Sequence, residues 1–155
     1  MEEEKLNTFI RLLQRVRKQP SQTFDLGLIV KELGSQIEVE EVFEEIKKIV
    51  DIERIVYDET IFDGDVIDKI VDIFRKNRWV FLEIKKDISS PLLNQLKHLA
   101  NHNSFQLIDY QGKDIFDMKM PENSRLIVFT ERDFIENKIS YPHFYRLFGP
   151  TLSLK

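Results

Sequence analysis

The sequence predicts a three-layer α/β fold: a mostly parallel sheet of about five strands, helices flanking it and an inserted β-hairpin. Trp79-Val80-Phe81-Leu82 and Leu126-Ile127-Val128-Phe129 are unbroken apolar runs, so neither strand has a polar face and both belong in the middle of the sheet. Segments with helical spacing of apolar residues alternate with the strand candidates. That alternation implies right-handed crossovers and parallel pairing.

The first element, from roughly Glu3 to Lys18, places Leu6, Phe9, Ile10, Leu12, Leu13 and Val16 at helical spacing. Arg11, Arg15, Arg17 and Lys18 crowd its C-terminal half, where cations suit the helix dipole, and Gln19-Pro20-Ser21 ends it. Phe24 to Val30 is the first strand. A helix marked by Val39, Val42, Phe43, Ile46, Ile49 and Val50 follows, with acids early and Lys47-Lys48 late. Asp51 to Asp58 is a short strand, and Asp65 to Lys76 a third helix with Asp63-Gly64-Asp65 as turn and N-cap. The central strand comes next, then a helix from Pro91 to Asn101 with Ser90 at its N-cap. Phe105 to Tyr110 and Asp114 to Met120 form a hairpin around Gln111-Gly112-Lys113. Arg125 to Thr130 is the second apolar strand. Helical turns at Asp133 to Lys138 and Tyr141 to Phe148, then a strand at Thr151 to Leu154, complete the chain.

At 155 residues and 42% hydrophobic, with 12 Phe, the chain can bury one ordinary core. A single domain spanning residues 1–155 is expected, with an N-terminal helix in 1–20 and a sheet core in 24–155. The formal net charge of −4, with both signs interspersed, gives no electrostatic case for general nucleic-acid binding. The absence of Cys excludes disulfides, thiolate metal ligands and a Cys nucleophile. Met1-Glu2-Glu3-Glu4 lacks the order of a signal peptide and no apolar run approaches a membrane span, so a cytoplasmic protein is expected.

The order of elements resembles the core of the AAA+ branch of P-loop ATPases. In that family a four-residue apolar strand ends in the acidic Walker B pair; Trp79–Leu82 looks like that strand and Glu83 falls at its metal-binding carboxylate. Leu92-Leu93-Asn94-Gln95-Leu96 is similar to the helix that follows, and Pro121 with Arg125 to Phe129 looks like the sensor strand, Thr130 and Glu131 lying near its polar position. Tyr145-Arg146-Leu147-Phe148 before the last strand is an approximate counterpart of the family's Arg-Phe pair. The resemblance implies that the first strand lies beside the sensor strand.

The departures bear on activity. A phosphate loop needs glycines for backbone approach, then Lys and Ser or Thr. Between the first strand and the second helix stand only Gly34-Ser35-Gln36, with no Lys before Ser35, and Ile84 occupies the position of the catalytic carboxylate. The resemblance therefore implies a degenerate P-loop-like module without ATP hydrolysis or a cofactor, in which Gly34, Ser35, Glu83 and Arg146 are vestigial positions. It would act as a protein-interaction or assembly subunit.

Glu83-Ile84-Lys85 also resembles the Glu-x-Lys of the PD-(D/E)XK nucleases, where both side chains share one strand face. On that alternative Glu83 binds magnesium with Asp63 or Asp65, Lys85 assists the attacking water, and nucleic acid is the substrate. Those nucleases usually join the Asp and Glu strands as a hairpin, whereas a helix intervenes here. His98 and His102 are spaced to share a metal on a helix face, with His143 as a third ligand, or simply to face solvent. Tyr141, Phe144, Tyr145, Arg146 and Phe148 form an aromatic–Arg segment that is either core or a contact surface for a protein partner or a second copy.

Overall fold

Every residue of Trp79–Ile84 is buried, and the sheet is arranged around that strand and the equally apolar Leu126–Glu131. The computed structural model describes residues 2–15, 26–108, 115–139 and 142–155. In chain order these form α1 (Glu3–Gln14), β1 (Leu26–Lys31), α2 (Val39–Lys47), β2 (Ile52–Tyr57), α3 (Asp63–Arg75), β3 (Trp79–Ile84) and α4 (Ser90–His102). Then come β4 (Ser104–Ile108), β5 (Ile115–Lys119), β6 (Leu126–Glu131), α5 (Arg132–Lys138), a 3-10 turn (Phe144–Leu147) and β7 (Thr151–Leu154).

The five-stranded sheet has the order β2-β3-β6-β1-β7, and every neighbouring pair is parallel. β1 lies beside β6, with Leu26 opposite Leu126, which is the neighbour relation the sequence resemblance implies. β4 and β5 pair antiparallel as the inserted hairpin. One face of the sheet buries Leu28, Tyr57, Leu82 and Val128 under α3, α4 and the 3-10 turn. The other buries Ile29, Phe81, Ile127 and Phe129 under α1 and α2. Strict alternation along fully buried strands divides one apolar run between two cores.

Several element ends differ from the sequence expectation, each for a local reason. Residues 16–25 lie outside the described set, and with them Val16, Arg17, Lys18 and Phe24. Within that set α1 already ends at Gln14, because Arg15 turns extended. The buried Arg125 guanidinium donates to the carbonyls of Leu13 (2.6 Å) and Arg15 (3.1 Å), which lack helical partners. Gly27 is where α1 meets the sheet: a Cβ there would lie 2.7 Å from side-chain carbons of Phe9 and Leu13.

α3 begins two residues early, with Phe62 as its N-cap and no capping side chain. Asp63 is inside the first turn, and its carboxylate accepts instead from the Tyr57 hydroxyl at 2.6 Å. In α4 the cap is Ser89 rather than Ser90: the Ser89 hydroxyl accepts from the Leu92 N–H at 3.2 Å, and Pro91 sits in the first turn. α2 stops at Lys47, short of Ile49 and Val50.

Arg125 also donates to the carbonyls of Glu122 and Ser124 at 2.6 Å, so one cation serves both the end of α1 and the turn before β6. Replacing it with Met is expected to lower unfolding free energy by about 3 kcal/mol, since several carbonyls lose a charged donor together. Urea denaturation of Arg125→Met measures this.

Candidate functional site

Parallel strands present their C-terminal ends together, and here a cleft of about 380 Å³ opens between the ends of β1, β3 and β6 and the start of α2. Its charged lining is Glu38, Glu40, Glu83 and Glu131 with Lys31 and Lys85, four carboxylates against two lysines. Glu83 is 3% exposed. Its Oε2 accepts from Nη2 of Arg54 at 2.6 Å, and its Oε1 lies 3.8 Å from Nζ of Lys85. Arg54 comes from β2, where it stands opposite Phe81 in register, so its side chain shares the face of Glu83 one step further on. The other Arg54 nitrogen, Nη1, lies 3.6 Å from Glu40 Oε1.

The strand-to-helix connection beside this cleft is shaped by local bonds. Gly34 adopts φ +80, which closes a turn with the Ser35 N–H on the Glu32 carbonyl at 3.1 Å. The Ser35 hydroxyl accepts from the Ile37 N–H at 3.3 Å. Gly34 and Ser35 line a separate shallow depression with Leu33, Arg132 and Lys155, not the Glu83 cleft. Glu38 stands at the N-cap position of α2 without a side-chain cap bond, and Glu40 and Glu41 occupy the first turn, so carboxylates of the chain itself lie at the positive helix end.

Next to it, Arg132 grips Glu32 through Nε–Oε1 at 2.7 Å and Nη2–Oε2 at 3.0 Å, while Ser153 donates to the same Oε2 at 2.7 Å. Arg132 Nη1 donates to the Tyr145 hydroxyl. The Arg132 bond, then that of Ser153, holds the Glu32 carboxyl below its ordinary value of 4.5, and Glu32 raises Arg132 in turn. This network ties β1, α5, the 3-10 turn and β7 together.

The nuclease candidates divide between two places. Lys85 and Glu83 are together, as the Glu-x-Lys spacing requires. Asp63 is bonded to Tyr57, which points to the opposite face of the sheet from Glu83, and Asp65 lines a different cleft along α3. Burial works against the Asp63 charge, but bonds from Ser89 and Tyr57 and the charge of Lys86 hold its carboxyl below the usual range. Burial and Asp63 push the Tyr57 hydroxyl up. β2 and β3 are parallel and joined by α3, not a hairpin.

The His98 and His102 rings lie 4.5 Å apart, tilted by 39°, and His98 Nδ1 lies 2.7 Å from the Ser104 carbonyl, which fastens α4 to the hairpin. Among the described residues no set of three His, Asp or Glu is placed to hold a metal ion. Gln95 secures the hairpin again, its side chain bonding both backbone groups of Gln106. In the aromatic segment Tyr141 lies outside the described residues. Phe144 and Phe148 are core residues with rings 5.1 Å apart, whereas Tyr145 and Arg146 are exposed. Arg54 and Arg132 are organising cations that no sequence motif singles out, and Arg125 stands out there only as the residue before the second apolar strand; each is one ordinary Arg until the pairing register places it.

No family model and no curated protein matches the sequence. Among solved structures, NtrX from Brucella abortus in complex with ATP is similar at a TM-score of 0.47 and 14% identity. The match covers 97% of this chain and 36% of that one, so the chain spans little more than a third of NtrX.

The Arg54–Glu83 pair makes a stability prediction. Glu83→Ala leaves Arg54 without its buried partner and is expected to cost about 3 kcal/mol, whereas replacing both by Leu costs far less. Denaturation of the two variants distinguishes this from a ligand-binding carboxylate, whose removal commonly stabilises. The Glu32 carboxyl gives a pH signature. Its folded value is depressed, so its contribution is present above 4.5 and is lost as pH falls through the folded value. Arg132→Gln removes the largest cause of that depression and leaves the Ser153 bond, so the urea midpoints of wild type and variant should draw together as pH drops below 4.5.

Proposed function

We propose that this chain is a non-catalytic, degenerate P-loop-like α/β module that serves as a protein-interaction or assembly subunit in the cytoplasm. The observation that carries the reading is the occupied state of Glu83. The carboxylate at the end of the central strand is neutralised by Arg54 from the neighbouring strand. A divalent cation at Glu83 would have to displace a charge-assisted bond of 2.6 Å.

Phosphate recognition is disfavoured by the same surroundings. A nucleotide triphosphate is drawn to a helix N-terminus whose N–H groups are free and whose neighbours are cationic. The α2 terminus instead carries Glu38, Glu40 and Glu41, and no lysine lies in the loop from Glu32 to Gln36. Nothing in that loop replaces the lost attraction. Tyr145 and Arg146, exposed beside the core residues Phe144 and Leu147, are the part of the aromatic segment offered to a partner.

Magnesium-dependent nuclease action is the second reading, favoured by the approach of Lys85 to Glu83. It requires Asp63 to leave Tyr57 or Asp65 to leave its own cleft. No helix among the described residues is long and apolar enough to cross a membrane.

Titration with Mg-ATP by calorimetry is expected to give no heat, and magnesium or manganese alone no rise in melting temperature. Saturable binding of ATP would overturn the module reading, and metal-dependent DNA cleavage lost in Lys85→Ala would replace it with the nuclease. Arg146→Glu together with Tyr145→Ala is expected to abolish assembly in a folded protein, read by sedimentation.

A further inference from the structure

We propose that the outer edge of β2 is a docking site for an extended basic peptide segment, which adds to the sheet as a further strand. This rests on the module reading above and gives it a partner chemistry. β2 is the terminal strand of the sheet, and among the described residues no strand pairs with its outer side. The carbonyls of Asp51 and Tyr57 accept from Trp79 and Lys85, on the β3 side. Backbone direction alternates along a strand, so the N–H and C=O of Arg54 and Val56 point away from the sheet. That is a row of unsatisfied backbone groups suited to strand addition.

The edge opens into a groove of about 570 Å³ whose far wall is α3. Asp65, Asp68 and Asp72 line it at helical spacing, with Asp58 at one end. These three carboxylates are exposed; among the described residues neither Asp65 nor Asp68 is held in an ion pair, and Asp72 has only a 3.9 Å contact to Arg75. Among the described residues that line the groove, Lys69 is the one uncommitted cation, since Arg54 is drawn to Glu83 and Glu40. Seven residues of helix span about 10 Å, which an extended chain covers in roughly three residues. Two basic residues at alternate positions of the incoming strand therefore meet this acidic wall, while its backbone bonds Arg54 and Val56. A second copy of this chain is a poor occupant, because a two-fold pairing of β2 edges brings acidic walls together.

The test is a fluorescence-anisotropy titration of the unaltered protein with an acetylated Val-Lys-Val-Arg-Val-Lys-Val peptide. Two versions N-methylated at alternate residues, one for each edge of the peptide, and one with Glu replacing the basic residues serve as controls. Saturable binding is expected, weakened at least tenfold in one of the two N-methylated versions and lost with Glu. Asp65→Lys combined with Asp68→Lys should also weaken it at least tenfold. Val56→Pro should do the same while leaving the β2–β3 ladder intact, since the Val56 N–H faces outward. Absence of binding, equal binding of both N-methylated versions, equal binding of the acidic peptide, or dimerisation through β2 would each overturn the assignment. A silent peptide titration removes the edge site alone, whereas ATP binding removes the module reading, so the two failures are separable.

Discussion

A carboxylate buried at the end of a central strand has to be neutralised, and in this protein the partner comes from the next strand. Glu83 on β3 is met by Arg54 on β2, one step along the same sheet face. An unpaired charge at that depth would cost several kcal/mol, so the pair fixes the β2 register as well as the chemistry of the cleft. A slip by one residue would turn Arg54 to the α3 face and strand Glu83 beneath α2. The same Arg54 reaches Glu40 on α2, so one guanidinium joins two strands and the helix above them.

Two further arginines do comparable work elsewhere. Arg125 closes the end of α1 and the turn before β6, so the helix stops where the guanidinium can reach its last carbonyls. The close seat of α1 on Gly27 complements this, since any side chain there would push Phe9 and Leu13 away. Arg132 gathers Glu32, Tyr145 and the strand that holds Ser153. These cations act as multidentate donors to fixed acceptors, which suits the planar guanidinium better than an ammonium.

The C-terminal end of the sheet thereby becomes a place of internal pairing. Glu83 is paired with Arg54 there, and Glu38, Glu40 and Glu41 stand at the α2 terminus. Among the described residues no strand pairs with the outer edge of β2, and Tyr145 and Arg146 of the 3-10 turn are exposed.

The amino-acid sequence alone determined the layers of this fold. Runs such as Val80-Phe81-Leu82 and Ile127-Val128-Phe129 have no polar face, so their two-sided burial is written into composition, and helical spacing in α3 and α4 is equally local. The parallel sheet and the inserted hairpin follow from the order of such segments. The tertiary structure decided what the candidate residues do. Glu83 and Arg54 are 29 positions apart, Glu32 and Arg132 100, and Arg125 and Leu13 112. No local pattern encodes those distances, because strand register and helix docking set them. The same holds for Asp63, which Tyr57 turns away from Glu83, and for Phe144 and Phe148, which close the core while Tyr145 between them stays exposed. A sequence names the groups that could form a site; only packing shows which of them are already satisfied.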